Sequence, residues 1–398
     1  MKKIHYNEAS YDSKEIKSVL EVLKNNLKLV DGEKTKIFED KISNYFGKKY
    51  GILVNSCSSA NLLSIQSYDF KKGSNIITPC LSFSTTIAPI IQCNLNPNIV
   101  DVEIDSLNID VSKIEKSINK KTVALLIPNL IGNICDWKKI NKIAKKHKLI
   151  IIEDSADTLG YKIKNKHNNF SDIVTTSFYA SHLITCAGTG GMICTNNKKQ
   201  YNKLKLLRGW GRSSSIYIDS ENIKNRFDTK SNKKNYDKKF YFEELGYNFY
   251  LSETCAAFGL EQLKKLPNKI NKRIKNFKYL YNFIDINFKN EIILPKQLPY
   301  VKTAWLAFPI ILKRNKLNER NFLQIFLENQ NIQTRPIFSG NILKQPMMKN
   351  IKTIVNKSGY KNSDYVMNNG LLIGCHSNLT NNDLKYICHS LKKFFVLY

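Results

Sequence analysis

The stretch DWKKINKIAKKHKLIIIED (136–154) contains the two signals on which the fold prediction depends. Asp136 precedes a polar segment whose lysines lie towards its end, which favours a helix over 136–148 because it suits the helix dipole. The continuous apolar run LIIIED (149–154) follows directly and is typical of a strand covered on both faces of its sheet. A helix followed by a buried strand is the repeating unit of an α/β protein.

Apolar runs of the same kind recur between residues 50 and 195, and each ends in a polar or glycine-containing segment. A second helical stretch, SSANLLSIQSY (58–68), lies between the first two runs. This alternation of strand and helix predicts a three-layer α/β domain. The predicted strands are YGILVN (50–55), NIITP (75–79), NIVDVE (98–103), TVALLIP (122–128), LIIIED (149–154), IVTTSF (173–178) and GMICT (191–195).

The rest of the chain predicts a second, smaller domain. A helix over SETCAAFGLEQLKKL (252–266) is expected to close the first domain, because Pro267 follows it. The predicted boundaries are therefore 1–266 for the large α/β domain and 267–398 for a small C-terminal α+β domain. Its expected elements are helices near 270–284, 317–330 and 381–394 and a strand at 305–312.

The chain of 398 residues is strongly basic, with 62 Lys+Arg against 33 Asp+Glu and a formal charge of +29. Such a balance raises nucleic acid as a partner. Only seven of the cations are Arg, however, and the lysines are dispersed along the chain. The segment nearest to a cluster is KSNKKNYDKK (230–239), which is typical of a solvated loop. We expect no nucleic-acid partner. The alternative use of the charge is a positive field that attracts an anionic sugar nucleotide.

Membrane and metal sites are not expected either. No apolar run approaches the roughly 20 residues that a membrane helix needs, and the start lacks the apolar stretch of a signal peptide. These features predict a cytoplasmic protein without a membrane partner. The nine cysteines form no CxxC pair, so reduced thiols are expected and no metal site.

Three polar segments follow predicted strands, at the edge where open α/β sheets bind their ligands. NSCSSANLL (55–63) opens a helix whose free N–H groups suit a phosphate. Asp154 ends a fully apolar strand, where a carboxylate is costly without a partner. SFYASHLITCAGTGG (177–191) combines a strand end, His182 and a glycine-rich turn. Taken alone, the helix start and His182 are more often structural than functional, and a buried Asp at a strand end is either about equally often, but together the three segments predict one crevice.

Seven segments, in this order, resemble the sugar-nucleotide branch of the fold-type I pyridoxal-phosphate (PLP) enzymes, the DegT/DnrJ/EryC1/StrS aminotransferase group. The resemblance covers almost the whole chain and implies a mostly parallel seven-stranded sheet between helices, with a smaller α+β domain. The segments are NSCSSANLL (55–63), IITPCLSFSTTIAPI (76–90), IVDVEIDSLNID (99–110), IIEDSADTLG (151–160), SFYASHLITCAGTGG (177–191), LGYNFYLSETCAAFGLEQL (245–263) and TRPIFSGN (334–341).

The resemblance also implies a role for each matching residue. Asp154 would pair with the protonated pyridine nitrogen of the cofactor, and Phe83 would stack on its ring. Asp157 occupies the place of a Gln or Glu near the ring hydroxyl. The cofactor phosphate would be bound by Cys57, Ser58 and Ser177, and by Asn248 of the neighbouring subunit. A homodimer with shared active sites is therefore implied.

The chain departs from the family's aminotransferases at position 182. Those enzymes have a lysine there that forms a Schiff base with the cofactor, whereas this chain has His182. Imidazole forms no such imine but suits proton transfer at neutral pH. The same replacement marks the sugar 3-dehydratases of the family, which hold pyridoxamine phosphate non-covalently and remove the 3-hydroxyl of a nucleotide-linked 4-keto-6-deoxyhexose. His182 is thus the expected catalytic base, in the synthesis of dideoxysugars for surface polysaccharides.

Two kinds of 3-dehydratase fit this description. One carries an iron–sulfur cluster and a partner reductase, and acts on CDP-4-keto-6-deoxyglucose; its cysteines cluster where this chain has RSSSIYIDSENIKNRF (212–227), without a cysteine. The other acts on GDP-4-keto-6-deoxymannose and takes its amino group from L-glutamate, whose carboxylate Arg212 would bind. The resemblance favours the second kind.

Some features leave alternatives open. YDKKFYFEELGYNF (236–249) is closer to the cluster-bearing kind, and Tyr250 and Thr189 replace a basic residue and a Glu that the resemblance predicts. The reductase-coupled enzyme and a sugar aminotransferase therefore remain alternatives. A sensor or scaffold that binds a sugar nucleotide without turnover is the non-enzymatic one.

Overall fold

The computed structural model describes residues 3–25, 27–164, 170–217, 219–227, 236–313, 318–355 and 358–397. Residues 230–235 of the predicted loop at 230–239 lie outside this range. The strands are β1 (Tyr50–Val54), β2 (Asn75–Pro79), β3 (Asn96–Val100), β4 (Thr122–Pro128), β5 (Ile150–Asp154), β6 (Lys162–Ile163), β7 (Ile173–Ser177), β8 (Gly191–Thr195), β9 (Ile292–Ile293), β10 (Val301–Lys302), β11 (Ala307–Leu312), β12 (Thr334–Pro336) and β13 (Gly370–Gly374). The helices are α1 (Ser13–Lys24), α2 (Glu33–Tyr45), α3 (Cys57–Gln66), α4 (Ser84–Gln92), α5 (Val111–Ser117), α6 (Trp137–His147), α7 (Lys198–Arg208), α8 (Ile223–Arg226), α9 (Glu253–Phe288), α10 (Glu319–Asn329), α11 (Lys361–Asn369) and α12 (Asn381–Leu397).

The seven predicted apolar runs form one seven-stranded sheet in the order β1-β8-β7-β5-β4-β2-β3. Strands β3, β2, β4, β5 and β7 are parallel, and β8 runs antiparallel to β7 and β1 on either side of it. The predicted mostly parallel α/β sheet is therefore confirmed. Strand β3 ends at Val100, earlier than the predicted run.

Both faces of this sheet are buried. Along β4, Ala124 and Leu126 belong to one hydrophobic core, whereas Leu125 and Ile127 belong to a second core on the other face. Successive side chains of a strand point to opposite faces, so a strand covered twice must be apolar at every position. This is the physical reason for the uninterrupted apolar runs in the sequence.

Helix α6 begins and ends as its sequence predicts. The Asp136 side chain accepts the backbone N–H of Lys139 as an N-cap, and Lys148 ends the helix in the left-handed conformation. The last turn carries Lys145, Lys146 and His147 at the negative end of the helix dipole.

The C-terminal part contains a second, antiparallel sheet in the order β12-β13-β11-β9. The predicted strand at 305–312 corresponds to β11, and the predicted helices at 317–330 and 381–394 correspond to α10 and α12. The smaller sheet with its helices agrees with the α+β architecture predicted for this part.

The prediction that a helix ends before Pro267 is wrong. Helix α9 is 36 residues long and contains Pro267 near its middle, so the separate helix expected near 270–284 is its second half. Proline removes one intrahelical hydrogen bond, to the carbonyl of Leu263. Side chains on both sides of it, Leu266 before and Leu280 after, are fully buried. Tertiary packing of both halves therefore outweighs the local cost of the proline.

Candidate active site

A cavity of about 840 Å³ lies at the carboxyl edge of the large sheet. Strands β1, β5 and β7 all end there, because β8 is antiparallel to both β1 and β7 and these two therefore run in the same direction. Seven of the nine predicted site residues line the cavity: Cys57, Ser58, Phe83, Asp154, Asp157, Ser177 and His182. The three strand-end segments thus form one crevice, and the individual roles remain predictions.

Asp154 lies at the end of β5 and is 4% exposed. Its Oδ2 accepts hydrogen bonds from Asn61 Nδ2 and Thr86 Oγ1, both 2.9 Å, and its Oδ1 accepts the backbone N–H of Ala156 at 3.1 Å. Burial raises the pKa of Asp154, while these donors oppose the rise. No cation neutralises the carboxylate among the described ion pairs. The site therefore suits a ligand that brings a positive charge to this end of the cavity.

The N-terminus of α3 lies beside Asp154. Ser56 caps the helix, since its Oγ accepts the backbone N–H of Ser59 at 3.1 Å. The N–H groups at the start of a helix have no intrahelical partner and favour an anion. A Cβ at Gly191 would lie 2.3 Å from the carbonyl carbon of Ser56. Gly191 is thus required, because β8 approaches the start of α3 too closely for any side chain at this position.

His182 and Asp157 face each other across the cavity wall. Nδ1 of His182 lies 3.6 Å from Oδ1 of Asp157. Burial, together with the charge of Arg273, lowers the pKa of His182 to about 4. Burial and the nearby Asp154 raise the pKa of Asp157 to about 7. His182 is accordingly neutral near pH 7, the protonation state that a base requires.

The C-terminal part supplies the opposite wall. Phe83 is 53% exposed, and its ring meets Phe338 edge-on at 6.2 Å. Phe338 and the exposed Arg335 line the cavity and belong to the segment TRPIFSGN (334–341), for which the resemblance implied no role. An exposed aromatic ring over a cavity offers a stacking surface for a flat, charged ligand ring.

The other two predicted residues, Asn248 and Arg212, do not line this cavity. Asn248 is exposed and forms an isolated bridge with Gly209. The Arg212 guanidinium lies 4.4 Å from the ring centroid of Trp210, and its Nε is buried without a partner among the described residues. Both residues therefore lie outside the cavity of their own chain.

Sequence reasoning missed the residues that hold Asp154. Asn61 donates to Asp154 and accepts the hydroxyl of Thr175 at 2.6 Å, while Thr86 donates from α4. Asn61 lies within NSCSSANLL, one turn after Cys57. The available signal was an amide side chain directly before the apolar pair Leu62 and Leu63 in this helix.

Two features are absent from the part of the chain that the structure describes. No group of three or more His, Cys, Asp or Glu side chains there is placed to hold a metal ion. No helix there combines the length and the apolar character that crossing a bilayer demands.

Comparison with known proteins connects this geometry to a family. The model of the DegT/DnrJ/EryC1/StrS aminotransferase family matches residues 9–392. A GDP-4-keto-6-deoxy-D-mannose 3-dehydratase of Escherichia coli O55:H7 is 33% identical over 96% of this chain and 98% of its own length. The lipopolysaccharide biosynthesis protein RfbH of Salmonella typhimurium is 33% identical over 93% of this chain and 86% of its own.

A solved structure is similar throughout. A GDP-4-keto-6-deoxymannose 3-dehydratase with a trapped PLP–glutamate geminal diamine superposes with a TM-score of 0.88 at 30% identity, over 98% of this chain and 100% of the other. Sequence, fold and family model agree from one end of the chain to the other. The chain therefore belongs to the DegT/DnrJ/EryC1/StrS aminotransferase family.

Proposed function

We propose that the protein is a 3-dehydratase that removes the 3-hydroxyl of a nucleotide-linked 4-keto-6-deoxyhexose, with PLP and its amine form as cofactor. The observation that carries this proposal is the position of His182, which lines the same cavity as Ser58, Phe83 and Asp154. The resemblance puts the lysine of the family's aminotransferases at this position. Three relatives named 3-dehydratases, at 30–33% identity, support the same class of enzyme.

The residues present fit the cofactor. Asp154 is a buried carboxylate without a cation among the described ion pairs, the N-terminus of α3 offers N–H groups to a phosphate, and Phe83 presents an exposed ring to the same cavity. When bound, the cofactor withdraws electrons from the bonds next to its amine. Asp154 would keep the ring nitrogen protonated, and Phe83 would fix the plane of the ring.

His182 would transfer the proton that must move when the 3-hydroxyl leaves. An imidazole that is unprotonated near pH 7 can accept a proton from a carbon acid and donate one to a leaving hydroxyl, which are the two transfers that His182 would carry out. A lysine at this position would compete by forming a covalent bond with the cofactor. His182 thus leaves the cofactor non-covalently held and makes the loss of the sugar 3-hydroxyl the favoured outcome.

GDP-4-keto-6-deoxymannose and L-glutamate are the proposed substrates. A relative is named for its action on this sugar nucleotide, and a glutamate adduct of PLP was trapped in one related structure. In the balanced reaction, glutamate and one water give 2-oxoglutarate, ammonia, two protons and two electrons. The two electrons and two protons replace the C3–O bond of the sugar by C3–H and release one water, so that no water is gained or lost overall. The product is a 3,6-dideoxy-4-keto sugar nucleotide for surface polysaccharide, as the name of the Salmonella relative suggests.

A homodimer with shared sites completes the proposal. Phe240, Phe242 and Leu245 are 64%, 56% and 90% exposed, and they lie on the same segment as Asn248. Contiguous exposed apolar side chains of this kind usually mark a protein interface. A second copy would cover them and bring Asn248 and Arg212 to its partner's cavity. We place the enzyme in the cytoplasm, where its free cysteines remain reduced.

Mass spectrometry of GDP-4-keto-6-deoxymannose incubated with the enzyme, PLP and glutamate tests this function. A product that has lost one oxygen, formed together with 2-oxoglutarate, supports it. A product with nitrogen in place of the keto oxygen would instead establish an aminotransferase. Unchanged sugar with this nucleotide and with CDP-4-keto-6-deoxyglucose plus a reductase would contradict the proposal.

The His182→Asn variant tests the residue that carries the proposal. We expect it to bind the cofactor and to lose dehydration, because an amide cannot accept the proton. Asp101→Asn is a control that also introduces an asparagine at a buried position, since Asp101 is buried but contacts Ser363 and does not line the cavity. A His182→Asn enzyme with the wild-type rate would exclude His182 as the base.

A further inference from the structure

The carboxylate of Asp157 lies close to the imidazole of His182, the proposed base. His182 and Asp157 are largely buried, with side chains 15% and 7% exposed. Nδ1 of His182 has no hydrogen-bond partner among the described residues, although it is buried. Oδ1 of Asp157, at 3.6 Å, lies just beyond hydrogen-bond distance from it. Hydrogen bonds in ligand-free active sites are often long and tighten in the complex.

The carboxylate of Asp157 is held in place from its other side. Its Oδ2 accepts the backbone N–H of Ile131 at 2.8 Å. Because this donor fixes one oxygen, the second oxygen, Oδ1, is directed to the imidazole. Asp157 therefore cannot turn away without leaving a buried N–H unpaired.

Ile131 itself has an unusual backbone conformation. Its φ is +57°, in the left-handed region that a β-branched residue avoids. The turn is held by the C-terminal part: Leu306 N–H donates to the Ile131 carbonyl at 2.8 Å, and Thr303 Oγ1 donates to the Gly132 carbonyl at 2.7 Å. Strain of this kind persists where the surroundings enforce it, and it is concentrated at functional sites.

The backbone that carries His182 is fixed as well. The side-chain amide of Asn7 donates to the carbonyl of Ser181, and its Oδ1 accepts from Arg273 Nη2 at 3.1 Å. Arg273 in turn donates to the carbonyl of Leu306 at 2.7 Å. The same segment, 303–306, thus holds both members of the His182–Asp157 pair.

We propose that Asp157 is a positioning residue for His182: Oδ1 of Asp157 accepts a hydrogen bond from Nδ1–H, which leaves Nε2 as the atom that takes the proton. A neutral imidazole carries its hydrogen on only one nitrogen, so an acceptor at Nδ1 decides which one. This assignment rests on the proposed function and differs from the cofactor-binding role that the sequence predicts for Asp157. It also gives a function to the strained turn at Ile131.

The substitution Asp157→Asn should reverse the direction of the hydrogen bond between residue 157 and Nδ1 of His182. The Ile131 N–H requires an acceptor, so the amide oxygen of Asn would face Ile131 and its NH₂ group would face His182 Nδ1. Nδ1 would then have to accept, which moves the hydrogen to Nε2 and removes the basic lone pair from the cavity. We expect kcat to fall by about 100-fold, with little change in the KM for the sugar nucleotide or in cofactor affinity.

The dependence of kcat on pH provides a second test of the positioning role of Asp157. Arg273 is the charge that acts on His182, Asp157 lies 3.6 Å from its Nδ1, and the ring of Tyr179 meets it edge-on. Asp154 acts on Asp157, and Asp157 acts in turn on the titratable groups of Tyr6 and Cys57. Protonated Asp157 would donate to Nδ1 instead of accepting from it. Since its pKa is about 7, wild-type kcat should fall as the pH drops through about 7, well above the pKa of His182. In Asp157→Asn this acid limb should be absent.

The deciding experiment is ¹⁵N NMR of histidine-labelled full-length enzyme, cofactor-free and with pyridoxamine phosphate, with the His182 signals identified by their loss in His182→Asn. We expect the Nδ1–H tautomer at pH 8 in the wild type and in the control Asp101→Asn, and the Nε2–H tautomer in Asp157→Asn. Asp157→Glu should restore Nδ1–H in part. This readout requires no turnover, so it separates the positioning role from the identity of the substrate.

Three outcomes would overturn the assignment. They are an Nε2–H tautomer in the wild type, an unchanged tautomer in Asp157→Asn, and a loss of cofactor affinity in Asp157→Asn with kcat preserved at saturation. The last result would show that Asp157 binds the cofactor and does not orient His182.

Discussion

Asn61 and Asp154 are joined by a hydrogen bond of 2.9 Å, and Asn61 is itself held by the hydroxyl of Thr175 at 2.6 Å. The orientation of the proposed cofactor-binding carboxylate is therefore set by the neighbouring helix α3 and strand β7. Asp154 thus depends on a polar chain that reaches across the sheet edge.

The first prediction concerns this chain. Asn61→Leu should weaken cofactor binding about tenfold, because the buried carboxylate loses a donor worth roughly 1–3 kcal/mol. Absorbance titration of the cofactor-free enzyme measures the affinity. Asn75→Leu is the control, because Asn75 is equally buried but bonds to Asn119 away from the cavity. Equal affinities in both variants would exclude the proposed role of Asn61.

The second prediction concerns the shared site. His182→Asn and Asn248→Ala should each be nearly inactive alone, yet regain about a quarter of wild-type activity when subunits are mixed and allowed to exchange. Half of the dimers would be mixed, and each would contain one intact site if Asn248 serves the partner's cavity. No recovery, in mixtures shown by mass spectrometry to contain heterodimers, would place Asn248 in the site of its own chain.

The third prediction concerns stability against pH. The pKa of Asp157 is raised from 3.8 to about 7 by burial, so between these values the folded state binds more protons than the unfolded state. The free energy of unfolding then falls as pH rises through this window. Asp157→Asn removes this loss, and its stability relative to wild type should grow by about 2–4 kcal/mol from pH 4 to pH 8. Urea unfolding of the cofactor-free protein measures the difference, and a constant difference would contradict the prediction.

The fourth prediction compares two glycines with positive φ. Gly73 has a φ of +78° with open space around it, whereas a Cβ at Gly132 would lie 2.8 Å from the carbonyl oxygen of Ala304. Gly73→Ala should cost about 1 kcal/mol from its backbone conformation alone. Gly132→Ala should cost about 1–3 kcal/mol more, because residues 304–306 must move. Thermal unfolding of both variants tests this, and equal costs would mean that the turn is loosely packed.

The large sheet could be predicted from sequence because its strands are buried on both faces. Runs such as TVALLIP (122–128) place apolar side chains on both faces of the strand, which leaves little choice of structure. The predicted helix end at Pro267 was wrong because the sequence shows the local cost of a proline inside a helix. It does not show the packing of Leu266 and Leu280, which depends on the completed fold.

The candidate site was predictable to the extent that its residues stand at strand ends. Asp154 and His182 are conspicuous there, and the structure places both at one cavity. Asn61 and Thr86 were not predicted, since they lie inside helices and reach Asp154 only through the packing of α3 and α4 on the sheet. The left-handed Ile131 could not have been predicted either, because no local residue preference favours it.

Helix α9 has a practical consequence for engineering. Because it runs unbroken from Glu253 to Phe288, a chimaera that joins the N-terminal part of one family member to the C-terminal part of another at Pro267 would splice two foreign half-helices. Each half would then have to match buried neighbours from a different parent. Crossovers placed in the loop after Phe288 would keep the helix from a single parent, and libraries of such chimaeras should yield folded enzymes more often.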